Sequence, residues 1–470
     1  MEVVTRIGFG LFGLAVLIGL AWAFSNNKRQ VDWKLVGTGV LVQILFAAFV
    51  LLTPYGEAIF STLAHGFVKL SSFTNEGARM ILGALTDQKM VGQPIANAMG
   101  VEGPEAYKQF GFIFAFQVLP TVVFFAALTA ILYHIGIMQW IVKGMAWAIT
   151  KVMKLSGAET TSVCASVFIG QTEAPLTVRP YIAKMTDSEL LTMMIGGMAH
   201  IAGGVMATYI AMLGGGDKET MEIYAKHFLA ASIMAAPATF ILAKILIPET
   251  QEPLTRGSIK MEVEKTAANV IDAAAAGAAD GMKLAINIAA MLLAFVALIA
   301  LLNAMIGGIA DMVGLTALLN SGKDPRCLSD AAFAATAANG CVQINLGSIL
   351  GTVLAPIAWV IGIPWQDAMV AGSLIGQKIV LNEFIAYLQL SALPVGAVPG
   401  GITEETKLIL TYALCGFANF ASIAIQIGGI GSLAPERRSD LARFGLRAVL
   451  GGSIATLMTA TIAGVLIHLR

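Results

Sequence analysis

The chain has 470 residues, of which 57% are hydrophobic and only 12% charged, and its formal net charge is zero. Its mean hydropathy of +0.79 and its repeated long apolar runs exclude a soluble globular domain and point to a polytopic, all-α membrane protein. The balanced charge offers no basic footprint for nucleic acid.

In chain order, apolar runs long enough to span a bilayer fall at about 7–24, 36–54, 110–137, 190–213, 228–247, 284–308, 406–432 and 446–468. Residues 1–24 share two traits with a signal peptide, Arg6 ahead of an apolar run and Ala21-Trp22-Ala23 near its end. The run continues almost to Phe24 and a basic loop follows, so an uncleaved first span is expected. Stretches near 56–95, 138–155 and 258–282 are amphipathic and are expected at the membrane interface. Two further regions, about 156–185 and 344–392, are apolar but interrupted by Gly, Pro and charge, the pattern of re-entrant hairpins. The expected architecture is eight transmembrane helices plus two re-entrant hairpins in an inverted repeat. The chain divides into 1–108 (N-terminal spans and interfacial helix), 109–155 (scaffold helix and interfacial helix), 156–247 (first hairpin and transport half), 248–320 (interfacial and scaffold helix) and 321–470 (second hairpin and transport half).

Positive charge orients the chain. Lys28, Arg29 and Lys34 follow the first span, and Lys143, Lys151 and Lys154 the third. Arg256, Lys260, Lys265 and Lys283 follow the fifth, and Arg437, Arg438, Arg443 and Arg447 the seventh. With these four loops on the cytoplasmic side, both termini lie outside, as for a multi-pass protein of a bacterial inner membrane. Of the four cysteines, Cys164 and Cys415 sit in apolar segments. Cys327 and Cys341 flank one loop, where a disulfide is open to them if that loop faces an oxidising compartment. No spacing suggests a metal site or a cofactor.

Two carboxylates lie within apolar sequence, where a charge is expensive and marks a candidate site. Ile169-Gly170-Gln171 precedes Glu173, and Ile375-Gly376-Gln377 precedes Glu383, which reads as a weak internal repeat. After each, a span begins at a capping signal: Thr186-x-x-Glu189 in one case, Thr403 with Glu404 and Glu405 in the other. Each of those spans carries a polar, glycine-rich break, at Gly196–Gly204 around His200 and at Gln426-Ile427-Gly428-Gly429. Broken helices around a midplane site are the pattern of an inverted-repeat carrier. Gln171, Thr172 and Glu173 offer donors and acceptors that suit the polar edge of a small molecule. Glu383, beside Asn382, can accept from two vicinal hydroxyls. Lys378 reads as a structural counter-charge. Asn419 and Ser422 share a helix face.

These motifs resemble those of the concentrative nucleoside transporters. The hairpin sequence Gly-Gln-Thr-Glu-Ala-Pro-Leu of that family is matched by residues 170–176. Gly376, Lys378, Asn382, Glu383 and Phe384 match a second motif, and residues 416–422 a third. The resemblance implies a homotrimer in the lipid bilayer that takes up nucleosides such as uridine by cation symport, moving its hairpins as an elevator. It implies that Gln171, Thr172 and Glu173 hold the base beside Val205. Glu383, Asn419 and Ser422 would bind the ribose hydroxyls, with Phe417 against the sugar and Lys378 and Asn382 behind. The coupling ion would lie among Ser166, His200 and the carbonyls of Ile169 and Ile201.

Two of these positions depart from the family's sodium users, which have Asn in place of Ser166 and a small hydroxyl residue in place of His200. Serine is a shorter oxygen ligand, and imidazole favours protons over a hard alkali cation. Proton coupling is therefore expected over sodium, with His200 or Glu173 as carrier. The alternative is a satisfied core His200 with sodium held by carbonyls. An intramembrane hydrolase using Glu173 and Glu383 is a rival class, but neither His-Glu-x-x-His nor Gly-x-Ser-x-Gly is present. A nucleoside sensor or channel would carry the same pocket. The polar stretch at about 320–345 reads as an insertion with no assigned role.

Overall fold

A computed structural model of the chain describes residues 2–101, 107, 110–256, 267–324, 326–329, 341–396 and 400–469. Among these residues the regular structure is helical, and no strand is found. Three helices come first: α1 (Glu2–Ala23), α2 (Trp33–Leu52) and α3 (Pro54–Ser72). Asp32 caps α2 by accepting from the N–H groups of Lys34 and Leu35. Thr53 caps α3, with Pro54 in its first turn. Shorter helices follow at Thr74–Leu82 and Gln88–Ala98.

One succession of elements then occurs twice. The first copy is α4 (Leu119–His134), α5 (Ile137–Met153), α6 (Gly157–Ser166), a tip leading into the 3-10 turn Ala174–Val178, the broken pair α7 (Asp187–Ala199) and α8 (Gly203–Gly214), and α9 (Lys218–Leu246). The second copy is α10 (Val270–Met312), α11 (Leu346–Val360), α12 (Trp365–Val380), α13 (Glu383–Ala392), the broken pair α14 (Glu404–Ala413) and α15 (Phe420–Leu433), and α16 (Arg438–Ile467). Among the described residues, the elements long and apolar enough to cross between the two starts are α4 with the turn before it, the α7–α8 pair and α9. This odd count inverts the second copy relative to the first.

Burial separates an interior from a periphery. The apolar windows of α9, of the α7–α8 span and of the span containing α16 are 89%, 83% and 83% buried, against 17% for α10. Leu293, Leu301 and Met305 of α10 face outward, which suits lipid. Where α10 meets α4 the backbones approach closely. A Cβ at Gly277 would lie 2.6 Å from that of Ala130, and one at Gly281 2.8 Å from that of Ala126. Small residues give this approach in the absence of a hydrophobic drive between helices. On α5, the exposed Trp140 and Trp147 lie on one helix with Lys143 and Lys151, and the Lys151 ammonium lies over the Trp147 ring. This fits the expected interfacial position.

Several boundaries differ from the sequence reading. The stretch 258–282 is not a separate interfacial helix: residues 257–266 lie outside the described residues, and from Val270 the helix runs unbroken into the span. Ala273–Ala276 favours helix, and Asp272, Asp280 and Lys283 do not stop one. Region 344–392 is three helices, with α11 and α12 meeting at 117° around Gly362, whose φ of +105° only glycine adopts readily. Gly376 and Gln377 therefore lie inside α12, whereas Gly170 and Gln171 lie at a hairpin tip, so that short repeat is not a structural correspondence. The expected span 406–432 is two helices, and its break falls at Leu414–Asn419 rather than at Gly428-Gly429. Cys327 and Cys341 are joined in a disulfide. Of the stretch read as an insertion, residues 325 and 330–340 lie outside the described residues.

Each hairpin base is tied to the span that follows it by a buried carboxylate, and each first arm carries one at its third position, Glu159 and Asp367. In the second copy, Asp367 accepts from the N–H and hydroxyl of Thr403 and from the hydroxyl of Thr406. In the first copy, capping boxes Ser156/Glu159 and Thr186/Glu189 are joined when Ser156 Oγ donates to Glu189. Lys244 of α9 lies 2.8 Å from Glu159 and 3.2 Å from Glu249. Two positive helix ends meet at each base, and the buried carboxylates complement them. Lys244→Met leaves the buried Glu159 without its counter-charge and is expected to destabilise the protein by about 3–5 kcal/mol. Lys244→Met combined with Glu159→Gln is expected to restore most of that loss. Thermal unfolding in detergent measures both.

Candidate functional site

The site is built from two helix breaks and two hairpin tips. α7 stops at Ala199, and His200 to Ala202 run extended before α8 begins. α14 stops at Ala413, and α15 begins after Asn419, whose Oδ1 accepts from the N–H of Ser422 at 2.9 Å. Lys378 is 1% exposed and donates to the Ala413 carbonyl (2.9 Å) and to Thr456 Oγ1 (2.8 Å). It thus places a cation at the C-terminal end of a half-helix, where carbonyls lack partners and the dipole is negative.

Glu383 opens α13, and Asn382 Oδ1 caps the same helix by accepting from Ile385 at 3.0 Å. The Glu383 side chain is 3% exposed. Its Oε2 accepts from Asn419 Nδ2 at 3.0 Å and its Oε1 from the Tyr209 hydroxyl at 2.9 Å. From the other tip, Gln171 Nε2 donates to Ser422 Oγ at 3.2 Å, and Gln171 Oε1 accepts from Gln426 Nε2 at 3.1 Å. Asn419 and Ser422 are thus the point where both tips meet. A buried carboxylate is tolerated here because charged-group hydrogen bonds are made from fixed elements. Val205 is buried in the first turn of α8, and Phe417 is half-buried in the second break.

The expected trio at the first tip divides. Gln171 joins the cluster. Thr172 is half-buried against Gly429, where a Cβ would lie 2.7 Å from Thr172 Cγ2. That glycine makes room inside α15 instead of breaking it. Glu173 is exposed and folds back over Gly170, its Oε2 occupying the space of a Cβ there. It makes no hydrogen bond to Glu383, Asn419 or Ser422.

Of the four residues expected around the coupling ion, Ser166 and His200 meet. Ser166 Oγ lies 3.1 Å from His200 Nδ1, and that nitrogen lies 2.7 Å from the Gly196 carbonyl. The carbonyl assigns the proton to Nδ1. His200 is 1% exposed, and its Nε2 has no hydrogen-bond partner among the described residues. Ile169 and Ile201 are buried, and the Gly203 N–H donates to the Phe168 carbonyl at 3.1 Å, tying tip to break.

Sequence reasoning missed Tyr209 and assigned Gln426 only to a break. A tyrosine within an apolar helix needs a partner for its hydroxyl when buried, but nothing near it in the sequence names that partner.

A family model described as the C-terminus of Na+ dependent nucleoside transporters matches residues 227–464, and its N-terminal companion matches 12–85. A Gate model described as nucleoside recognition matches 115–216. The nucleoside permease NupC of Helicobacter pylori is 37% identical over 98% of each chain. The mouse sodium/nucleoside cotransporter 1 is 35% identical over 97% of this chain and 63% of its own. Among solved structures, inward-facing, substrate-bound CNTnw is 38% identical, with a TM-score of 0.82 and 99% of each chain covered. An outward-facing variant of CNTnw gives 0.84 over the full length of both. The chain belongs to the concentrative nucleoside transporter family.

Proposed function

We propose that this protein takes up nucleosides across a bacterial inner membrane, driven by a cation gradient. The observation that carries the reading is the buried Glu383, held between Tyr209 and Asn419 at the junction of both hairpin tips. With Asn419 and Ser422 it reads the ribose hydroxyls, with Phe417 against the sugar. Gln171, with Thr172, Glu173 and Val205 nearby, reads the base. Lys378 and Asn382 hold the helix ends behind them.

The hairpins, broken spans, α9 and α16 would move together as an elevator against α4 and α10. The burial contrast between these groups supports that division, as do CNTnw structures in inward- and outward-facing states. It also supports the five-part division of the chain and a homotrimer in which the exposed apolar faces of the α4–α10 scaffold meet partner copies or lipid. Both termini are assigned to the outside by the basic loops. The Cys327–Cys341 disulfide supports this, because the charge count puts its loop on the oxidising side.

Proton coupling is favoured over sodium. His200 offers a buried imidazole whose Nε2 is unpartnered among the described residues, and Ser166 is a poor sodium ligand. One charge moving through 100 mV contributes ~2.3 kcal/mol, enough for roughly fiftyfold accumulation at ~1.4 kcal/mol per tenfold. A channel or sensor with the same pocket is separated by counterflow, since neither shows trans-stimulated exchange.

Labelled uridine uptake into proteoliposomes, under separately imposed proton and sodium gradients, is the test. Uptake is expected with protons alone. Ser166→Asn combined with His200→Ser is expected to shift the requirement towards sodium, raising sodium-driven uptake about tenfold over the parent, which corresponds to ~1.4 kcal/mol of ion binding. Sodium-only uptake by the parent would reverse the assignment of these two residues.

A further inference from the structure

The two copies of the fold correspond a second time, one layer behind the substrate cluster. Tyr209 is the seventh residue of α8 and Gln426 the seventh of α15, the equivalent segments of the two broken spans. Both side chains are fully buried. Each donates to the hairpin tip of the other copy: Tyr209 to Glu383 Oε1 and Gln426 to Gln171 Oε1. The two braces therefore cross between the repeats.

Both donors are held rigidly. The Tyr209 ring packs against Tyr387 and Phe384, with centroids 4.4 and 4.8 Å away. Gln426 Nε2 also donates to the Met194 carbonyl at 3.0 Å. Gly197 makes this possible, since a Cβ there would lie 2.7 Å from Gln426 Nε2 and 2.9 Å from Gln171 Cβ.

What the braces fix follows from side-chain chemistry. The terminal torsions of Glu and Gln are broad and poorly self-determined. Asn419 holds one oxygen of Glu383, and the hydrogen bond from Tyr209 to the other oxygen fixes the plane of the carboxylate. Gln171 has a different freedom: its amide can flip and exchange donor for acceptor. Gln426 holds the oxygen end while Ser422 receives from the nitrogen end, so the pattern presented to a base is set.

We infer that Tyr209 and Gln426 are positioning residues that set sugar-hydroxyl and nucleobase selectivity respectively, each by fixing a substrate-reading side chain of the opposite repeat. This rests on the roles of Glu383 and Gln171 proposed above.

Competition against labelled uridine uptake tests it on two axes, with 2′-deoxyuridine for the sugar and inosine for the base. Tyr209→Phe is expected to change the 2′-deoxyuridine to uridine inhibition ratio about fivefold, the scale of one hydrogen bond, and to leave the inosine to uridine ratio unchanged. Gln426→Leu is expected to do the reverse. Gln426→Met fills similar volume without the original donor, Tyr209→Met replaces the phenol with a smaller, flexible apolar chain, and both serve if the first variants do not fold. Loss of packing alone would lower maximal uptake or move both ratios together, and either result overturns the inference, as does no change in either ratio. Glu383→Gln separates the two layers. If that variant keeps both uptake and its sugar ratio, the substrate-site reading itself fails. If it loses uptake while Tyr209→Phe keeps the parental sugar ratio, only the bracing inference fails.

Discussion

A carboxylate enclosed in the middle of a membrane protein must be given fixed partners, and Glu383 is the group around which this fold is arranged. It is 3% exposed and receives hydrogen bonds from two helices that belong to different repeats. Supplying those donors requires a helix break at Leu414–Asn419, which presents Asn419 as both cap and donor, and a tyrosine deep in α8. Breaking a helix in an apolar environment frees carbonyls, and Lys378 answers the one at Ala413. Each irregularity thus entails another, and all converge where both tips meet.

The same logic recurs at the hairpin bases. Each hairpin returns to its own side of the membrane, so two positive helix ends are brought together at Glu159 with Glu189 and at Asp367. One copy resolves this with a single aspartate and hydroxyls, the other with three glutamates and a lysine. The copies therefore share architecture without sharing residues, which is why the sequence repeat is faint where the structural one is clear.

Much of this was legible in the chain. The capping signals at Thr186 and Thr403 and the break at His200 are local features, and each stands where it was read. What failed depended on packing. Gly428-Gly429 looked like a break, yet in lipid glycine serves close approach as often as interruption, and Gly429 admits Thr172. The real break was signalled by Asn419, a capping residue. The amphipathic pattern near 258–282 suggested an interfacial segment, whereas an alanine-rich run carries α10 straight through. Glu173 was grouped with Gln171 by adjacency, but a non-helical tip sends neighbouring side chains in different directions. Tyr209 was invisible to motif reading because its partner is 174 residues away.

The central claim is that the Glu383 carboxylate recognises sugar hydroxyls. Calorimetric titration of the purified protein with uridine and with 2′,3′-dideoxyuridine, before and after Glu383→Gln, tests it most directly. The expected result is a strong preference of the parent for uridine that collapses in the variant, with the protein still folded. An unchanged preference for the hydroxylated ligand in Glu383→Gln would contradict the claim and place sugar recognition elsewhere.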